Sequence, residues 1–110
     1  MGPLAIREIV LVPFPYSDLS HAKVRPALCL AKAQRGDWTL CQITSSLYGD
    51  PLAISLDASD FESGSLTKHS FVRPCILSTV HESTFIKIVG KLHGRAFQAI
   101  LDRVIQHLRP

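Results

Sequence analysis

No stretch of eighteen consecutive apolar residues occurs in this chain, so the sequence offers no membrane-spanning helix. Its beginning sets Arg7 and Glu8 inside an apolar region without a small-residue cleavage pattern, so no secretory leader is expected. Cysteine is scarce. Cys29, Cys41 and Cys75 are odd in number, far apart and without the close spacing of a zinc site. Cys29 and Cys41 each lie in an apolar, strand-like run, where a thiol behaves as a small hydrophobe. Three free thiols point to a reducing, cytoplasmic compartment. The histidines are scattered and no acidic cluster lies near Arg25, so no metal or other cofactor is expected. Internal repeats and low-complexity segments are absent as well.

What is present is a globular composition, 46% apolar and 19% charged. A length of 110 residues fits one domain, 1–110, with room for a single core. The net charge of +3 is modest and uneven: Lys87, Lys91, Arg95, Arg103 and Arg109 face only Asp102 from Lys87 onward. Such a bias permits a polyanionic partner without demanding one.

Ile6 to Phe14 reads as a first strand, closed by Pro13 and Pro15. A loop with aromatic, acidic and imidazole groups leads to Lys23-Val24-Arg25-Pro26, and Leu28 to Lys32 reads as the second strand. Proline has no N–H for a ladder, so Pro26 is expected to open a strand or sit on an edge. It also restricts Arg25 before it. Arg35-Gly36-Asp37 is a turn signal, and Trp38 to Ser46 a third strand that starts apolar and ends polar. Leu52 to Leu56 and Ser70 to Thr79 read as further strands, the second with an edge or bulge at Pro74. Asp57 to Thr67 reads as a loop, with a helical turn at Ser59 to Glu62. Thr84 to Leu92 reads as a last strand. Gly94 is the expected N-cap of a helix over Arg95 to Leu108, with Phe97, Ile100, Leu101, Val104 and Leu108 at helical spacing. The pattern is mainly β with one C-terminal helix, a small, partly open β-barrel with the helix packed on it.

If strands two and three form a hairpin, Ser20, His21, Lys23 and Arg25 meet Thr44, Ser45 and Ser46 at its open end. A guanidinium beside a hydroxyl can clamp one phosphodiester. The alternatives are a surface arginine and a threonine present for β-propensity. His21 has the intrinsic pKa to move protons, or is a solvent-facing loop histidine. Phe14 and Tyr16, flanked by prolines, are candidates to stack a base. Trp38, Phe61, Phe71, Phe85 and Phe97 are assigned to the core.

Several segments carry a resemblance: Glu8-Ile9-Val10-Leu11-Val12-Pro13-Phe14-Pro15 with Tyr16-Ser17-Asp18-Leu19, Lys23-Val24-Arg25-Pro26-Ala27-Leu28, and Cys41-Gln42-Ile43-Thr44-Ser45. Val72-Arg73-Pro74 followed by Ser78-Thr79-Val80 belongs with them. Their order and spacing resemble the MazF/PemK toxin family over essentially the whole chain. The resemblance implies a dimeric SH3-like barrel of the MazF/CcdB type. It implies an endoribonuclease that cuts single-stranded RNA at short sequences without a metal, restrained by an antitoxin protein. It maps catalytic roles onto Arg25 and Thr44, and a second arginine position onto Arg73. The loop group that contacts substrate becomes Ser20 or His21. The chain departs from the family at Arg7-Glu8, at Cys75, where the PemK branch has an acidic residue, and at Val80-His81. The expected catalytic residues are therefore Arg25, Thr44 and His21. The expected substrate contacts are Ser20, Lys23, Ser45, Arg73, Phe14 and Tyr16. A non-catalytic SH3-like binding module and a CcdB-like gyrase inhibitor are the alternatives on the same fold.

Overall fold

The computed structural model describes residues 3–15, 22–46 and 49–110. Seven antiparallel strands form one sheet: β1 (Glu8–Pro15), β2 (Ala22–Lys32), β3 (Asp37–Thr44), β4 (Ile54–Leu56), β5 (Phe61–Gly64), β6 (Ser70–His81) and β7 (Lys87–Leu92). Their order is β4-β6-β3-β2-β1-β7-β5, and the sheet curls into a half-barrel with β4 and β5 as its edges. One α-helix among the described residues, α1 (Gly94–Leu108), follows. The mainly-β architecture with a terminal helix is thus as the sequence implies. No described helix is long and apolar enough to cross a membrane.

The nearly continuous apolar runs arise because the central strands are buried on both faces. On one face Ile9, Leu28, Leu30, Cys41, Ile43 and Val72 pack under α1. On the other, Val10, Val12, Ala27, Cys29, Trp38 and Leu40 pack with Phe85. Burial pushes the Cys29 and Cys41 thiols up to about 12, so both stay protonated and inert at neutral pH. The helix buries Phe97, Ile100 and Val104. Each contributes about 2 kcal/mol of apolar burial. Leu101 is half-buried against the same cluster, but Leu108 is 63% exposed.

Several boundaries differ from the sequence reading, each for a backbone reason. β2 begins at Ala22, not Leu28, because β1 pairs with it through Val12↔Arg25 and beyond. Its ladder to β3 stops at Ala27↔Gln42. Cys29 turns its carbonyl toward Arg7 on the β1 side, at 3.0 Å. By alternation along the strand, Pro26 turns its backbone toward β3, where its missing N–H ends the ladder. In β6 the bulge expected at Pro74 is present: Arg73 to Ile76 lie between the pairs Ile43↔Val72 and Cys41↔Leu77, opposite Gln42 alone. The β2–β3 turn takes positive φ at both Arg35 and Gly36, the geometry of a tight two-residue hairpin.

The expected loop Asp57–Thr67 contains a 3₁₀ turn, Ala58–Asp60, and the edge strand β5. Its polar sequence hides the strand. β5 pairs with β7 through Gly64↔Gly90, and a Cβ at Gly64 (φ +71°) would lie 2.2 Å from the Val89 carbonyl oxygen. β7 starts at Lys87, not Thr84, because Glu82–Thr84 forms a 3₁₀ turn capped by His81.

The helix N-cap is His93, with Gly94 the first helical residue. His93 Nδ1 accepts from the Ala96 N–H at 3.2 Å, so Nε2 carries the proton donated to the Ser59 carbonyl at 3.0 Å. The ring therefore caps α1 and ties it to the segment before β5. His93→Ala is expected to lower unfolding stability by about 1 kcal/mol, measured by urea denaturation, with Asn recovering part of it. An unchanged midpoint would contradict the cap.

Candidate active site

The cleft that matters opens where the β2–β3 ladder ends. Continuing the register of Ala27↔Gln42 by two residues on each strand brings Arg25 level with Thr44. Both line a cleft of about 180 Å³ with Lys23, Ser45, Lys68 and Ser70. Alternation along each strand puts Arg25, Ala27, Gln42 and Thr44 on the same side of the sheet. Arg25 is half-buried and Thr44 is 2% exposed. The Thr44 hydroxyl accepts from the Ser46 N–H at 3.1 Å, which fixes its oxygen at the end of β3. The described lining carries the cations Lys23, Arg25 and Lys68 and no carboxylate. Such a cleft favours an anion, because like-signed groups between low-dielectric walls add their fields.

Four expected residues thus meet at this cleft: Arg25, Thr44, Lys23 and Ser45. Phe14 is half-buried against the Val10–Trp38 side of the core. Ser20, His21 and Tyr16 lie outside the described residues. Sequence reasoning missed Lys68, which reaches the cleft from the segment between β5 and β6. A serine opening a strand ordinarily faces solvent. Ser70 is instead 5% exposed, its hydroxyl donating to the Lys68 carbonyl at 2.9 Å and fixing that segment. The only signal available was Ser70 opening the strand that carries Arg73.

Arg73 stands apart from the cleft lining, on the β6 bulge. Its Nε donates to Asp50 Oδ2 at 2.9 Å and its Nη1 to Gln42 Oε1 at 3.3 Å. The Asp50 side chain is 8% exposed and that of Arg73 is 22% exposed, so the pair is more enclosed than an ordinary surface salt bridge. Cys75, the residue in the departure from the family pattern, places Sγ 3.4 Å from His107 Nδ1 on α1. No group of acidic, histidine or cysteine side chains suited to holding a metal ion occurs among the described residues.

A family model described as PemK-like, MazF-like toxin of type II toxin–antitoxin systems matches residues 6–108. No curated protein sequence matches the chain significantly. Among solved structures, the chain is similar to an endoribonuclease in complex with its cognate antitoxin from a mycobacterial species. The two share 12% identity and a TM-score of 0.72, covering 98% of this chain and 95% of that one. It is also similar to the Mycobacterium tuberculosis toxin MazF-mt6, at 20% identity and TM-score 0.69, covering 91% and 94%. A MazE–MazF structure from Deinococcus radiodurans gives 18% identity and TM-score 0.71, covering 94% and 93%.

The Asp50 carboxyl is held below the usual carboxylate range, first by the hydrogen bond from Arg73 and next by the Leu52 N–H. A depressed folded-state pKa stabilises fully above the unfolded value, about 4, and that stabilisation is lost as pH falls through the folded value. The stability gap between wild type and Asp50→Asn should therefore be constant from neutral pH down to about pH 5 and narrow below about pH 4. Urea midpoints across that range measure it. A gap that persists unchanged in acid would contradict the ion pair.

Proposed function

This chain belongs to the PemK-like, MazF-like toxins of type II toxin–antitoxin systems, and from that membership we propose that it is a metal-independent endoribonuclease acting on single-stranded RNA. The observation that carries the reading is the convergence of Arg25 and Thr44, from two strands, on one cationic cleft. The description of a similar fold as an endoribonuclease with its antitoxin supports it.

The chemistry follows from what the cleft offers. The RNA supplies the nucleophile: its 2′-OH attacks the neighbouring phosphorus, the O2′–P bond forms and the P–O5′ bond breaks. The products are a 2′,3′-cyclic phosphate and a 5′-OH. One proton leaves the 2′-OH and one reaches the departing 5′-oxygen. The crowded, doubly charged phosphorane is the species to stabilise. Arg25 serves as that stabiliser. As a base it is poor, since deprotonating it at neutral pH costs roughly 7 kcal/mol. Thr44 positions the phosphate, Lys23 and Lys68 hold the flanking backbone as point charges, and Ser45 adds a polar contact. The imidazole of His21 is the proton carrier in this reading. Arg73 binds the substrate backbone beyond the cleft. Cleavage survives EDTA, since every role is filled by a side chain or by the RNA.

The cationic rim also suits an acidic antitoxin segment that folds as it binds and covers the Arg25 and Arg73 surface. An acidic peptide that binds without slowing cleavage would contradict the overlap. Ile6, Val24 and Ile86 are 44%, 48% and 53% exposed, which supports burial of apolar surface in a homodimer. Sedimentation at micromolar concentration checks this, and a monomer would count against it.

Arg25→Ala is expected to fold normally and to lose about 10²–10³ in cleavage rate, the cost of one preorganised charge-stabilising donor. Thr44→Ala should lose less. Rates are read on a labelled RNA, with circular dichroism to verify folding. A folded Arg25→Ala protein that is nearly as active would break the assignment.

A further inference from the structure

A surface salt bridge is the plain alternative for Arg73 in the sequence, and the ion pair found at the β6 bulge is more constrained in geometry than a fortuitous surface contact. Arg73 sits where β6 departs from its ladder with β3, so strand pairing alone does not set its direction. Among the described residues, two side chains hold it. Asp50 takes Nε at 2.9 Å, and Gln42 takes Nη1 at 3.3 Å. A guanidinium gripped at both positions keeps its plane as well as its place.

Asp50 is itself fixed. It follows Gly49, whose φ of +69° turns the chain, and its Oδ1 accepts from the Leu52 N–H at 2.9 Å. Its carbonyl accepts from Ala53 at 3.3 Å. The carboxylate is thus presented to Arg73 by a turn that Asp50 Oδ1 and the Asp50 backbone carbonyl help to hold, leaving Oδ2 for the guanidinium. Gln42 links the pair to the cleft: it lies two residues before Thr44 on β3, on the same side of the sheet. The direction of Arg73 is in this way referred to the strand that carries Thr44.

We propose that Asp50 is a positioning residue for RNA cleavage, which with Gln42 aims the Arg73 guanidinium at the RNA backbone. This rests on the endoribonuclease reading of the same site. Asp50 does not touch the RNA, since its charge repels phosphate. It acts through Arg73.

The test uses the full chain and a single-site RNA oligonucleotide chosen from a mapped cut. Asp50→Asn keeps an oxygen for the Leu52 N–H but removes the charge facing Arg73. It is expected to lower kcat/KM by about 10-fold to 10²-fold, mainly through KM, as misplacement of a substrate-positioning group does. Asp50→Glu, which keeps the charge, should recover part of the loss. Arg73→Ala should be no worse when combined with Asp50→Asn, since the two act as one unit. Asp50→Asn cleaving within twofold of wild type would overturn the proposal. So would a full additional loss in the Arg73→Ala background. Arg25→Ala separates the two levels of the account. If wild type cuts and Arg25→Ala does not, the functional reading stands and the Asp50 result judges this inference alone. A wild-type protein that leaves RNA uncut removes both.

Discussion

A missing hydrogen-bond donor at Pro26 organises this molecule's working end. β2 is the middle strand of the sheet and is buried on both faces, so its ladders would ordinarily continue along its whole length. Pro26 turns toward β3 a backbone with no N–H, and pairing on that side ends at Ala27. β1 continues to hold β2 as far as Arg25 and beyond, so the strand stays extended while its other side opens. The gap is the cleft, and it is flanked by Arg25 on one strand and Thr44 on the other. A residue able to donate at position 26 would extend the ladder into the cleft.

The same device appears a second time. Arg73 precedes Pro74 as Arg25 precedes Pro26, and Pro74 lies in the bulge that interrupts the β3–β6 ladder. In both places an arginine–proline pair coincides with a break in regular pairing. Arg25 is thereby left where the backbone is supported by β1 and released on the β3 side, whereas Arg73 follows Val72, the last β6 residue paired with β4 and the last paired with β3 before the bulge. The two differ in their surroundings. Arg25 lines the cleft with Lys23, Thr44, Ser45, Lys68 and Ser70, and Arg73, outside that lining, bonds Asp50 and Gln42. Behind both, the apolar layer under α1 supplies the stiffness that keeps the two strand ends in register.

The features legible in the sequence were those with a local physical cause. Apolar runs in Ile9–Val12 and Ala27–Leu30 signalled buried strands, and the Arg35-Gly36 turn fixed the hairpin that brings Arg25 to Thr44. Pro74 announced its bulge. The features that escaped depend on partners distant in the chain. β5 is polar and short, and exists because Gly64 and Gly90 allow close approach across an edge. The helix cap at His93 was hidden because glycine beside it also suits a cap, and only the contact to Ser59 reveals the histidine's role. Asp50, between Gly49 and Pro51, has the local signature of a turn residue. Nothing local indicates that its carboxylate reaches a guanidinium twenty-three positions later. Lys68 escaped for the same reason, since the segment carrying it reaches the cleft only when β6 pairs with β3.

The central claim is that this cleft makes the RNA cut itself, with the protein supplying charge and position. The most direct measurement replaces the single ribose on the 5′ side of a mapped cut with deoxyribose and analyses the ends formed from the parent and the substituted oligonucleotide. The account predicts a 5′-OH and a 2′,3′-cyclic phosphate from the parent, and no cleavage at the substituted bond despite nearly unchanged binding. Cleavage of the deoxy-substituted bond, or 5′-phosphate ends from the parent, would show water to be the nucleophile and contradict it.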